Sequence, residues 1–147
     1  MELWAYLVQG FTQPGQIEII VKIILSSILG FLIGWNRRST SAGIRTFSLI
    51  TLGSTLFTII ALMGFPTSEN SEAARIIAQI VSGVGFIGAG VIWKTRTDLM
   101  GLTTAACIWV SAGIGIAVGV GMFSLAVLGT LLIIIILLLK PVLSRFK

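Results

Sequence analysis

The sequence has no histidine, a single cysteine and few charges of either sign. Ten Lys or Arg and five Asp or Glu put charged side chains at 10% of 147 residues, against roughly 25% in an average soluble domain. A water-soluble fold of this size needs a charged shell that so few groups cannot supply. Disorder is excluded as well, because disordered chains are poor in apolar residues and rich in charge. One cysteine rules out a disulfide framework within the chain and any cysteine-rich metal site. What is abundant is apolar surface: 56% of the residues are hydrophobic before 17 glycines are added. The chain is a membrane protein.

The few charges divide the sequence into runs whose lengths can be set against a bilayer. Residues 46–68 and 76–93 carry no charge, and 99–139 form one uncharged run of 41 residues. One helical crossing takes about 20 residues, so the long run makes two crossings, with Gly119-Val120-Gly121 as the break. A further apolar stretch, Ile17 to Trp35, is interrupted only by Glu18 and Lys22. The expected fold is all-α, a polytopic membrane helix bundle of about five transmembrane helices at 17–35, 44–64, 74–93, 102–119 and 122–139. Residues 17–139 then form the transmembrane domain and 140–147 a short basic tail. Residues 1–16 do not resemble a cleaved signal, since Glu2 replaces the basic start. Trp4, Leu7, Val8 and Phe11 fall at helical spacing before Pro14-Gly15, which fits an interfacial helix or a loosely ordered tail.

Positive charge sets the orientation. Arg37, Arg38 and Arg45 mark the first connection, Lys94 and Arg96 the third, and Lys140, Arg145 and Lys147 the tail. The second connection has Glu69 and Glu72 against Arg75, and the fourth has no charge. Five spans alternate these groups between sides, giving the N-terminus out and the C-terminus in.

Helices in lipid associate by close backbone approach over small residues. Gly30 and Gly34 form one GxxxG step and Gly115 and Gly119 another, while Gly83, Gly85, Gly88 and Gly90 crowd the third span. Packing within the bundle is the first reading of these positions, and a homo-oligomer face the second. Among polar residues, Glu18 and Lys22 are spaced to pair at i, i+4, or Lys22 lines a polar cavity. Arg45 and Arg75 either anchor helix ends or bind a ligand. Gln79 and Ser82 suit interhelical hydrogen bonds. Thr103, Thr104 and Trp109 put a polar step and an aromatic on the fourth span. Cys107 fits a small buried hydrophobe.

Nothing here supports catalysis. No nucleophile has a base beside it, and Gly83-Val84-Gly85 with Gly88 matches a dinucleotide motif only inside a membrane helix, without the preceding strand that motif needs. A metal site built wholly from protein is not expected, because Mg²⁺ and Ca²⁺ want several oxygen ligands and only five carboxylates exist. No cofactor and no nucleic-acid partner is implied. The expected partners are the lipid bilayer and another membrane protein, with self-association left open.

Three stretches carry a resemblance. Gly30-Phe-Leu-Ile-Gly34, Arg37 and Ala42-Gly43-Ile44-Arg45-Thr46 open it; Arg75 to Ile92 is its longest part; Gly101-Leu-Thr-Thr-Ala-Ala106, Trp109 and Ser111-Ala-Gly-Ile-Gly115 complete it. Together, over about residues 22–125, they resemble the MgtC/SapB family of bacterial membrane proteins. The resemblance implies a multi-pass protein of the bacterial cytoplasmic membrane, linked to growth in low magnesium and in some pathogens to virulence. It marks Arg37, Arg45, Arg75, Gln79, Thr103, Thr104 and Trp109 as candidates, beside Lys22 from the residues alone. Asn36 stands where the family commonly has Glu, and Met100 where it often has Arg. The resemblance is to a short form without the soluble C-terminal domain that many members carry. Two functions follow: a regulatory or scaffold protein linked to magnesium limitation or ionic stress, or a transporter or channel for Mg²⁺ or another small solute. A cavity joining Lys22, Arg45, Arg75 and Gln79 would favour the second.

Overall fold

The computed structural model describes residues 15–64 and 71–139. The interfacial helix expected before Pro14, the acidic connection around Glu69 and the basic tail lie outside the described residues. Among the described residues five helices follow in order: α1 (Gln16–Asn36), α2 (Ile44–Gly64), α3 (Ser71–Gly90), α4 (Leu102–Val120) and α5 (Phe123–Leu138). The first four are long and apolar enough to cross a membrane, while α5 has 16 residues.

Glycine placement explains why the helices turn where they do. Gly121 at φ 93° ends α4: its N–H donates to the Val118 carbonyl at 3.0 Å, and the Met122 N–H donates to the Ala117 carbonyl at 2.8 Å. This pair of bonds satisfies carbonyls that a helix end leaves free, and the left-handed residue between them costs glycine nothing. The expected break in the 99–139 run therefore falls at Gly121. Between α1 and α2 the chain turns over Arg37–Gly43, where the Thr40 hydroxyl lies 2.8 Å from the Arg37 carbonyl and 2.9 Å from that of Ala42.

One boundary differs from expectation. The third span was to run through Trp93, but α3 stops at Gly90 and a two-stranded antiparallel hairpin follows, β1 (Trp93–Lys94) against β2 (Leu99–Met100). The Val91 and Ile92 N–H groups reach back only three residues, to Gly88 and Ala89, which tightens and ends the helix. Thr95 and Asp98 then close the hairpin, with the Thr95 N–H donating to the Asp98 carbonyl at 2.8 Å. Gly101, at φ 89°, sits so close to the Val91 carbonyl that any Cβ there would overlap it.

The core centres on α4. In α4, 61% of the membrane-length window is buried, against 28% in α1 and 17% in α3. Phe47, Ile33, Ile108 and Val118 are fully buried at the junction of α1, α2 and α4. α5 packs through Ala126, Thr130 and Ile133 and leaves most of its Leu and Ile outward.

The expected glycine contacts divide. A Cβ at Gly30 would overlap the Thr51 hydroxyl and stand 2.7 Å from the Phe47 carbonyl, and one at Gly34 would stand 2.5 Å from the Ile44 Cα. A Cβ at Gly119 would stand 2.6 Å from the Thr58 Cβ, one at Gly115 would overlap the Thr51 carbonyl and stand 2.8 Å from the Ser54 Cβ, and one at Gly88 would stand 3.4 Å from the Ala105 carbonyl. A Cβ at Gly83, Gly85 or Gly90 would meet nothing within 4 Å among the described residues beyond its own helix backbone. These three lie off the α3 side that packs on the bundle, so backbone contact within the chain is not their role.

Candidate functional site

The loop after α1, the hairpin and the N-termini of α2 and α4 meet at one end of the bundle, which carries Arg37, Arg38, Arg45, Lys94 and Arg96 against Asp98 among the described residues. Arg38 and Arg45 point outward. Arg38 lies 5.2 Å over the Trp35 ring, and Trp35 and Trp93 are both exposed, as expected of aromatics at a membrane–water boundary. A shallow cavity of about 320 Å³ opens between Arg38, Thr40 and Arg45.

Arg37 is different. It is 7% exposed, folded inward from the C-terminus of α1 so that its Nη2 donates to the Thr104 hydroxyl at 2.5 Å. Its Nε has no partner among the described residues. A buried cation without a carboxylate is costly unless something offsets its charge. Its position at the C-terminus of α1 supplies part of that offset, since the last carbonyls of a helix present a negative partial charge. Thr103, next to its partner, points outward.

At the opposite end Lys22 pairs with Glu18 at 2.7 Å, with the Lys22 side chain 12% exposed and the Glu18 side chain 61%. Both line a cavity of about 290 Å³ with Ile59, Met63 and Gly119. Lys22 thus both pairs and lines a polar recess.

Between the two ends runs a set of buried hydroxyls that the sequence reading passed over: Ser26, Thr51, Thr55, Thr58, Ser111 and Thr130. Each reaches a carbonyl one helical turn back, for example Thr58 to Ser54 at 2.7 Å and Ser111 to Cys107 at 2.7 Å. Thr55 alone also crosses helices, lying 2.9 Å from the Thr51 carbonyl and 2.8 Å from that of Gly115. The signal was present in the second span, where Thr51, Ser54, Thr55 and Thr58 recur on one helical face.

The remaining candidates do not converge. Arg45 is exposed at the basic end, Arg75 is exposed and paired with Glu72 at 3.1 Å, Gln79 lies on the outer side of α3, and Trp109 is 54% exposed. Of the expected set, the structure joins Arg37 and Thr104 across helices, while Arg75 and Gln79, one turn apart on α3, share a shallow recess with Glu72 that reaches neither Lys22 nor Arg45. Among the described residues no three His, Cys, Asp or Glu form a cluster able to hold a metal ion.

No solved structure matches the chain. The MgtC family model matches residues 23–146. An uncharacterized protein of Haemophilus influenzae is 37% identical over 99% of this chain and 65% of its own length. The putative magnesium transporter YhiD of Escherichia coli K12 is 42% identical over 82% of this chain and 59% of its own. Protein MgtC of Salmonella typhimurium is 42% identical over 78% of this chain and 49% of its own. The chain therefore spans about half to two thirds of the length of these relatives. The match begins within α1 and runs beyond α5, so it takes in nearly the whole bundle together with the Arg37–Thr104 contact: the chain belongs to the MgtC family.

Proposed function

We propose that this membrane protein is a non-enzymatic regulator or scaffold of the bacterial cytoplasmic membrane, acting under magnesium limitation or ionic stress through another membrane protein. The observation that carries this reading is the way the polar groups are spent. Inside the bundle the hydroxyls of α1, α2, α4 and α5 are turned onto backbone carbonyls of their own helices, which satisfies them, and Thr55 alone of this set also reaches across, to the Gly115 carbonyl. The polar side chains that stay outside the bundle, Arg45, Gln79 and the Glu72-paired Arg75, face outward, where a partner rather than a passing ion would meet them. The link to magnesium rests on the Escherichia coli relative, which is named a putative magnesium transporter.

A transporter is the second reading. That relative's name supports it, as does the placement of Arg37–Thr104 and Glu18–Lys22 at opposite ends of the hydroxyl-bearing core. One experiment separates the two. The purified full chain in lipid vesicles, with a magnesium-sensitive dye inside, should pass no more Mg²⁺ than protein-free vesicles. Saturable flux that Thr55→Val abolishes would overturn the regulatory reading in favour of transport.

A further inference from the structure

We propose that the recess between Arg38 and Arg45 binds the phosphate of an anionic phospholipid headgroup, in the leaflet at the basic end of the bundle. This goes beyond the regulatory reading and holds equally if the chain conducts an ion.

The recess, about 320 Å³, is lined by Arg38 and Thr40 of the loop after α1 and by Gly43, Ile44, Arg45 and Thr46 where α2 begins. Two cations therefore meet the start of a 21-residue helix. The first turn of a helix leaves N–H groups without a helical acceptor and carries a positive partial charge. Here the Phe47 N–H donates to the Gly43 carbonyl at 3.2 Å, while those of Ile44, Arg45 and Thr46 have no backbone acceptor among the described residues. The ion pairs among the described residues, Glu18–Lys22 and Glu72–Arg75, lie elsewhere, so neither Arg38 nor Arg45 is neutralised. The acid at this end, Asp98, accepts from the Thr97 hydroxyl at 2.9 Å within the hairpin. Arg37, next in the chain to Arg38, is buried with its Nε unmatched and adds a further charge that no ion pair offsets. What this arrangement lacks is an anion, and the donor forks of two arginines match the oxygens of a phosphate.

Depth decides which phosphate. Arg38 lies 5.2 Å over the Trp35 ring, and that ring stands 5.6 Å from Phe31, one turn earlier on α1. Exposed tryptophan sits at the headgroup level of a bilayer, so the Trp35 stack holds one wall of the recess in the layer of lipid phosphates. Below it the outer side of α1 is apolar through Ile24, Ile28, Phe31 and Leu32, and on α2 Leu49 is exposed one turn below Arg45. A cationic recess above an apolar strip follows the order of a phospholipid from phosphate to acyl chain. Ligand pockets run to roughly 300–1,000 Å³, and one at the small end fits a headgroup while the acyl chains stay in the bilayer. The exposed cations Arg38, Arg45, Lys94 and Arg96 against Asp98 disfavour the second positive charge of a choline headgroup and select anionic lipids.

The test uses the purified full chain in detergent, with bound lipid counted by native mass spectrometry. Phosphatidylglycerol should bind more tightly than phosphatidylcholine, and it should raise the melting temperature of the unsubstituted chain, a readout free of any variant. Arg38→Gln combined with Arg45→Gln should weaken phosphatidylglycerol binding about tenfold, as loss of charged hydrogen bonds does. Lys94→Gln combined with Arg96→Gln removes the same charge from the hairpin, off the recess, and should weaken binding far less. Equal weakening by the two double variants, or equal binding of the two lipids, overturns the proposal. Displacement of phosphatidylglycerol by inorganic phosphate at the same concentration would give the recess to a soluble phosphate and overturn the lipid assignment.

Discussion

Arg37 and Thr104, 67 residues apart, are joined by one hydrogen bond between the end of α1 and the start of α4. The contact fastens the two helix termini and leaves a buried guanidinium with one donor, Nε, unmatched. Arg has a planar fork of donors that Lys lacks, so the geometry depends on this residue type and not on charge alone. The sequence singles out Arg37 from Arg38 through the resemblance but does not separate Thr104 from Thr103; in the structure Arg38 and Thr103 face outward.

Removing the acceptor should therefore hurt more than its size suggests. Thr104→Val keeps the shape but strands a second donor of a buried cation, which costs about 1–3 kcal/mol. Thr104→Ser should restore most of the loss, and Thr103→Val, on an exposed side chain, should cost little. Thermal unfolding in detergent reads all three. Equal melting of Thr104→Val and the unsubstituted chain would show that the bond does not hold the helices.

A second prediction separates two exposed arginines. Arg45 flanks the cavity at the N-terminus of α2 beside Arg38 and Thr40. Arg75 is 75% exposed and, among the described residues, paired with Glu72, and such a surface pair contributes about 0–1 kcal/mol with either cation. Arg45→Lys should abolish complementation in a low-magnesium growth assay while leaving protein level unchanged. Arg75→Lys should grow nearly as the unsubstituted chain does. Full growth of Arg45→Lys would make that residue a helix anchor only.

The orientation of the bundle is a third. Arg37, Arg38, Arg45, Lys94 and Arg96 gather at one end, and positively charged loops stay on the cytoplasmic side. A reporter fused after Lys147 should be active only in the cytoplasm. A reporter active only outside would reverse the topology and with it the side from which Arg45 is reached.

The spacing of charges made the helices legible, because each crossing must exclude them for about 20 residues. The hairpin at Trp93–Met100 was not legible, since two-residue strands leave no periodic trace and Ile92-Trp93 read as the end of a span. The interior of the second span was passed over because serine and threonine in an apolar run look incidental until they are seen to share a face. Gly83, Gly85 and Gly90 were misjudged for a different reason. Their density on the third span is plain in sequence, but contact depends on how a helix is rotated about its axis. Sequence shows how many small residues a helix carries, not where that face points.

That distinction gives the fourth prediction. Gly30 and Gly115 touch α2 so closely that a methyl group overlaps atoms of Thr51, and at Gly30 the Phe47 carbonyl stands at 2.7 Å as well. Backbone atoms cannot rotate away as a side-chain end can, so Gly30→Ala and Gly115→Ala force the helices apart and should cost about 1–3 kcal/mol each. A Cβ at Gly85 would meet nothing within 4 Å among the described residues beyond its own helix backbone. Gly85→Ala should be neutral or slightly stabilising, because alanine is the better helix former by up to about 1 kcal/mol. Melting temperature in detergent, compared across the three variants, makes the check, with membrane accumulation as a control for insertion. If Gly85→Ala lost as much stability as Gly30→Ala, the third helix would have to pack through its outward glycines within a single chain, and the rotation of α3 described above would be wrong.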